Sequence, residues 1–192
     1  MASFLVYYGT GEGQTAKVAD RIVETLIERG HDATAVDAAH GLGDRSLADF
    51  DAVVVGASIH AGKHQAAVTE FVEANHEALA GTPTAFFQVS MSSATEQGRE
   101  QAAGYVESFL EATDWHPDRI ATFGGALRFS EYGFLKRFLV KQVAKKEFPD
   151  VDRSADAEFT DWQAVADFAN DVAAFVEGRL GVVPTDGAPA TE

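Results

Sequence analysis

The chain has 192 residues, enough for one domain of roughly 100–200 residues with a sizeable core. A formal charge of −15 excludes non-specific nucleic-acid binding, which needs clustered Lys and Arg against phosphates. With no cysteine, disulfides, thiolate metal sites and thiol redox chemistry are excluded, so any redox role must use a bound cofactor.

The start, MASFLVYYGT, lacks a basic n-region and a cleavage site and is not read as a signal peptide. Ser3–Tyr8 reads as a buried strand ending in the loop GTGEGQT. Residues 15–29 place Val18, Ile22, Leu26 and Ile27 at helical spacing, and Gly30 supplies the stop. A short strand is predicted at Ala33–Asp37. A third, Asp51–Ala57, is a continuous apolar run of the kind found when helices cover both faces of a sheet. A helix is expected over His64–Leu79, then a fourth strand at Thr84–Val89. Ser93 and Glu96 read as a capping box for a helix through Ala112. Arg119–Leu127 is the fifth strand, and a long segment runs from there to about Glu158. Thr160 and Gln163 read as a second capping box, opening a last helix with Trp162, Val165, Phe168, Val172 and Phe175 inward. The tail from Gly181 has the composition of a disordered end. No apolar run reaches the ~20 residues that span a bilayer.

Strand–helix alternation of this kind predicts an α/β domain over residues 1–180, a doubly wound five-stranded parallel sheet of order 2-1-3-4-5, with an insertion at about 128–158. Ligands of such sheets sit at the carboxyl ends of the strands, near the switch point between the first and third. That directs attention to the loops after Tyr8, Ala57, Val89 and Leu127.

Thr10, Gly11, Glu12, Gly13, Gln14 and Thr15 stand where a phosphate site belongs, after the first strand and opening the first helix. The glycines allow close approach, while hydroxyls and free helix-start N–H groups supply donors to an anion. Neither a Walker lysine nor G-x-G-x-x-G is present. A hydroxyl-rich loop without a cation is the pattern used for a flavin monophosphate, and the segment resembles the phosphate loop of flavodoxins, [ST]-x-[ST]-G-x-T. Glu12 departs from that pattern, and its side chain is expected to point outward. A receiver domain shares the fold but needs acidic residues after the first strand and an Asp ending the third. Here Gly9-Thr10 and Gly56-Ala57-Ser58 hold those places.

The flavodoxin resemblance implies that the loops after the third and fourth strands hold the flavin ring of FMN. Their candidates are Ala57, Ser58, Ile59, His60, Gly62, Lys63 and His64, and Ser90, Met91, Ser92 and Ser93. Neither loop carries Phe, Tyr or Trp. Either the ring is left open to a flat substrate or residues elsewhere, such as Tyr132 or Phe134, cover it. His60 and His64 lack a third ligand for a zinc site and read as polar residues near the flavin edge. A His or Lys beside the flavin N1–O2 edge would favour two-electron chemistry.

Arg128, Lys136, Arg137, Lys141, Lys145 and Lys146 cluster after the fifth strand, with Glu131 the one acid among them. Phe134, Leu135, Phe138, Leu139 and Val143 lie mostly on one helical face. Such a basic amphipathic helix can lie on an anionic membrane, receive a partner, or pack on the core. The segments GASIHAGKH, GALRF–EY–RF and FTDWQAVADFA resemble the flavodoxin-like, menaquinone-dependent protoporphyrinogen oxidases, from about Phe4 to Phe175. His60-Ala61 departs from that family, where an Arg-Tyr pair is common. The resemblance implies an FMN enzyme that oxidises protoporphyrinogen IX and passes electrons to a quinone. It implies a tetrapyrrole with two propionates as substrate, for which Arg128, Tyr132, Lys136 and Arg137 are the binding candidates. It also implies a cytoplasmic protein, with 134–146 at the inner face of the cell membrane. A flavodoxin-type carrier and an NAD(P)H-fed flavin quinone reductase are the alternatives. The acidity fits either the solvated surface of a halophile's protein or the surface of soluble electron-transfer proteins. Scarce Lys outside one segment favours the first.

Overall fold

A computed structural model of the chain describes residues 1–60, 62–128 and 156–182. Its parallel strands are β1 (Ser3–Gly9), β2 (Asp32–Asp37), β3 (Ala52–His60), β5 (Thr84–Ser90) and β6 (Arg119–Gly124). A two-residue strand β4 (Lys63–His64) folds back antiparallel on β3. Helices α1 (Gln14–Glu28), α2 (Ala66–Ala74), α3 (His76–Gly81), α4 (Arg99–Thr113) and α5 (Trp162–Leu180) provide the crossovers and flanks. A second ribbon pairs β7 (Ala126–Leu127) antiparallel with β8 (Ala157–Glu158).

The main sheet has the order β2-β1-β3-β5-β6, all parallel, which is the predicted 2-1-3-4-5 arrangement. The apolar runs are continuous because both sheet faces are covered. Along β1, Phe4 and Val6 enter one core cluster while Leu5 and Tyr7 enter the other. The first cluster lies under α1 and α5, with Val18, Ile22, Leu26, Phe87, Val165 and Val172. The second lies under α2, α3 and α4, with Val68, Phe71, Leu79, Phe86, Phe109 and Trp115. Tyr7 stacks on Phe71 with ring centroids 3.8 Å apart. Gly56 in β3 is required by packing, since a Cβ there would stand 2.1 Å from Cζ of the buried Phe87.

Four boundaries differ from the sequence reading. Residues 63–64 pair with β3, so the second helix begins only at Ala66, and Asn75 divides it into α2 and α3. Ser93 does not cap α4, because its backbone N–H and hydroxyl both meet Ser90 Oγ; α4 starts at Arg99 with Gly98 before it. Thr160 does not cap α5 either. Asp161 does so, accepting from the N–H groups of Gln163 and Ala164, while the Thr160 hydroxyl donates to the Gly124 carbonyl. The fifth strand breaks at Gly125, and Ala126–Leu127 pairs with β8 instead of continuing the main sheet. The predicted basic helix at 134–146, Tyr132, Lys136 and Arg137, and the tail beyond Val182 lie outside the described residues.

No helix among the described residues is long and apolar enough to cross a membrane. At the amino ends of the strands, Glu177 joins α5 to the end of α1 and the start of β2. Arg29 donates to both its oxygens at 2.6 and 2.7 Å, and buried His31 stands 2.9 Å away.

Candidate functional site

Because the five strands run parallel, their carboxyl ends meet along one edge, and a cleft of about 240 Å³ opens there. Its described lining comes from four places. Thr10, Gly11, Glu12, Gln14 and Thr15 follow β1; Ser58, Ile59 and His60 end β3; Val89, Ser90 and Met91 end β5; Gly125, Ala126 and Leu127 follow β6. These are the loops that strand order selects.

The loop after β1 is shaped by its own side chains. Gly13 N–H donates to Thr10 Oγ1 at 3.0 Å, and Gly13 takes φ 82°, a left-handed conformation that favours glycine. Helix α1 then begins with no side-chain cap among the described residues. Its first N–H groups are therefore open to an anion, and the helix dipole adds to the attraction. Thr15 supplies a second signal. Its side-chain oxygen is buried, with the residue 1% exposed, and it has no hydrogen-bond partner among the described residues. A buried hydroxyl without a partner is uncommon in a finished structure and is what a site awaiting a polar ligand displays. The donor set fits a phosphate group.

The other candidates divide. His60, exposed at the end of β3, faces the cleft with Ser58, Ile59, Ser90 and Met91. Ser58 is held from behind by Gln65, whose amide meets both its backbone N–H and its hydroxyl. Gly13, Ala57, Gly62, Lys63, His64, Ser92 and Ser93 do not line the cleft. Ser92 donates to Gln101 on α4, and Ser93 braces Ser90. His64 turns away into the second core cluster, 4.7 Å from the Phe109 ring centroid and 5.7 Å from Phe86. Its Nε2 lies 2.9 Å from Gln88 Oε1, and Gln88 Nε2 donates to the Ala102 carbonyl. That orientation leaves Gln88 Oε1 only able to accept, so His64 Nε2 carries the proton. Burial pushes the His64 pKa down, against the hydrogen bond to Gln88, and so favours the neutral ring.

Arg128, a candidate for binding substrate, is joined to the phosphate loop. It donates to Gln14 Oε1 at 2.8 Å and lies 3.8 Å from Glu158. Gln14 Nε2 donates to Thr160 Oγ1 at 2.8 Å, and Lys17 pairs with Glu158 at 3.0 Å. Burial works against ionisation of Glu158, but hydrogen bonds from Lys17, Gln14 and Trp162 together hold its pKa below the usual range. Val89, Gly125, Ala126 and Leu127 were not among the expected cofactor residues, yet they line the cleft. The rule that loops at strand carboxyl ends form the site could have found them.

Residues 5–153 match the family model for a flavodoxin domain. Among solved structures, a short-chain flavodoxin associated with a non-canonical PDU bacterial microcompartment is similar at TM-score 0.54. That match has 13% identity and covers 92% of this chain and 99% of that one. The protoporphyrinogen IX dehydrogenase (quinone) of Escherichia coli strain K12 is 33% identical over 170 residues, 88% of this chain and 93% of that protein. The enzyme of the same name from Leishmania major is 32% identical over 190 residues, 98% and 80% of the two chains.

The sheet order and the phosphate-loop cleft define a flavodoxin-type domain, a flavin-binding class. Within that class the chain belongs to the protoporphyrinogen IX dehydrogenase (quinone) family, which is a family of oxidoreductase enzymes.

Proposed function

We propose that the protein binds FMN in the cleft and catalyses oxidation of protoporphyrinogen IX to protoporphyrin IX, with a quinone as electron acceptor. The observation that carries this reading is the buried hydroxyl of Thr15, without a partner among the described residues, beside a start of α1 that no described side chain caps. A monophosphate dianion satisfies that hydroxyl and the helix-start N–H groups together. Relatives that share most of their length with this chain support the substrate and the acceptor.

When bound, FMN supplies a two-electron acceptor. Protoporphyrinogen IX loses six electrons and six protons on becoming protoporphyrin IX. Three quinones take up two electrons and two protons each, so the reaction balances over three cycles. This chain's residues bind and orient. Thr10, Thr15 and the start of α1 hold the phosphate; the ends of β3 and β5 border the ring. With no Phe, Tyr or Trp among Ser58, Ile59, His60, Val89, Ser90 and Met91, these parts of the lining leave the macrocycle room to approach. His60 is the titratable group there on the β3 side. Tyr132, Lys136 and Arg137 are the candidates for the propionates. The protein works in the cytoplasm, with 134–146 against the inner face of the membrane that holds the quinone.

The test is anaerobic turnover of protoporphyrinogen IX by the FMN-loaded protein, followed by porphyrin fluorescence with and without a menaquinone analogue. Fluorescence that rises only when quinone is present supports the proposal. No rise, with FMN bound and reducible by dithionite, removes this substrate.

A further inference from the structure

The phosphate loop carries no cation of its own, and the described lining of the cleft contains no Lys or Arg. A cation nevertheless reaches the loop from far along the chain. Arg128 bonds Gln14 across a separation of 114 residues, and Gln14 is the residue that opens α1. Gln14 is 5% exposed, and its side chain is fixed at both ends, its oxygen by Arg128 and its nitrogen by Thr160. Thr160 in turn donates to the carbonyl of Gly124 at the end of β6. The pairing of Ala126 with Glu158 and of Leu127 with Ala157 sets Arg128 beside this ribbon, whose Ala126 and Leu127 also line the cleft.

Arg128 and Lys17 are cations set against the carboxylates of Glu158 and of Glu12, which lines the cleft. An anion at the start of α1 gains from Arg128 because the guanidinium is largely screened from water, its side chain 18% exposed. It gains again from a helix start held in place, since a rigid donor set loses less entropy on binding.

We propose that Arg128 is a positioning residue for the phosphate of the flavin, acting through Gln14, and not a ligand of the substrate propionates. The inference rests on the FMN reading above. It gives the β7–β8 ribbon a role in cofactor affinity that the loop motif alone does not contain.

The test compares FMN with riboflavin, which lacks the phosphate, by fluorescence titration of the flavin-free protein. The proteins are wild type, Arg128→Met, Gln14→Leu, the double variant and Arg128→Lys. Arg128→Met and Gln14→Leu each weaken FMN binding about tenfold, the scale of one lost hydrogen bond to a charged group. Both leave riboflavin affinity unchanged, whatever each costs the flavin-free fold by unpairing a buried partner. The double variant is no weaker than the weaker single, because both remove the same link. Arg128→Lys, which keeps the charge and a donor, recovers part of the loss. The protoporphyrinogen KM at saturating FMN stays at the wild-type value in Arg128→Met.

Equal losses for FMN and riboflavin would make Arg128 merely structural and overturn the proposal. So would an unchanged FMN affinity with a raised porphyrinogen KM, or additive effects in the double variant. Failure of the wild-type protein to bind FMN would instead remove the cofactor reading itself.

Discussion

Replacing Thr15 with valine keeps the branched side-chain shape and removes one hydroxyl. In the flavin-free protein that hydroxyl is buried without a partner among the described residues. A buried hydroxyl left unpaired costs about 1–3 kcal/mol, so its removal stabilises the flavin-free protein by roughly 2 kcal/mol. For a domain of this size each kcal/mol moves the melting midpoint by about 2–4 °C, which gives a rise of ~4–8 °C. FMN binding moves the other way. Losing a hydrogen bond to a charged phosphate costs about 1.5–3 kcal/mol, or roughly 10- to 150-fold in Kd. Thermal melts followed by circular dichroism read the first effect, and flavin fluorescence quenching on titration reads the second. The opposed signs are the diagnostic. A Thr15→Val variant that melts lower without flavin refutes the claim that the hydroxyl is unsatisfied. Unchanged FMN affinity refutes its role at the phosphate.

Three further outcomes are expected. Gly56→Ala places a methyl 2.1–2.7 Å from three carbons of the Phe87 ring, and overpacking of this kind costs about 1–3 kcal/mol. Its melting midpoint falls by several degrees, and adding Phe87→Leu restores part of the loss; an unchanged midpoint contradicts the packing described. At Glu177 the hydrogen bond from Arg29 lowers the pKa most, burial opposes it, and the bond from His31 lowers it further. A carboxylate depressed in the folded state stabilises fully above its ordinary pKa, and the contribution is lost as pH falls through the folded value. Glu177→Gln therefore costs about 2 kcal/mol at neutral pH, between surface and buried pairs. Its stability also falls less steeply than wild type on the acid side of the ordinary Glu range, as urea melts across pH will show. Arg137→Ala raises the protoporphyrinogen KM about tenfold or more while FMN affinity is unchanged; equal loss of both would indicate a role in folding.

The sheet was legible because its strands are covered on both faces. SFLVYY and DAVVVGA read as buried strands, and strand–helix alternation then brings the loops at their carboxyl ends together. The phosphate loop was legible for a local reason, as its hydroxyls, glycines and helix start are consecutive. What escaped depends on contacts with other elements. His64 reads as a polar loop residue, but two backbone pairings between β3 and β4 turn it into the core beside Phe109. Ser93 and Thr160 match capping patterns, yet Ser90 and Gly124 compete for their hydroxyls, and both of those partners lie on other elements. Arg128 is named from the family resemblance as a substrate-binding candidate, and its bond to Gln14 is a separate finding. Nothing local announces that Gln14 would engage it.

The most direct measurement is a single anaerobic mixing of FMN-loaded protein with protoporphyrinogen IX, in stopped flow, observing the flavin's visible absorbance, followed by addition of a menaquinone analogue. The account predicts rapid bleaching by the porphyrinogen, recovery of the flavin band on adding quinone, and porphyrin fluorescence rising in step. A flavin that is bound and reducible by dithionite but stays oxidised with protoporphyrinogen IX would contradict the account.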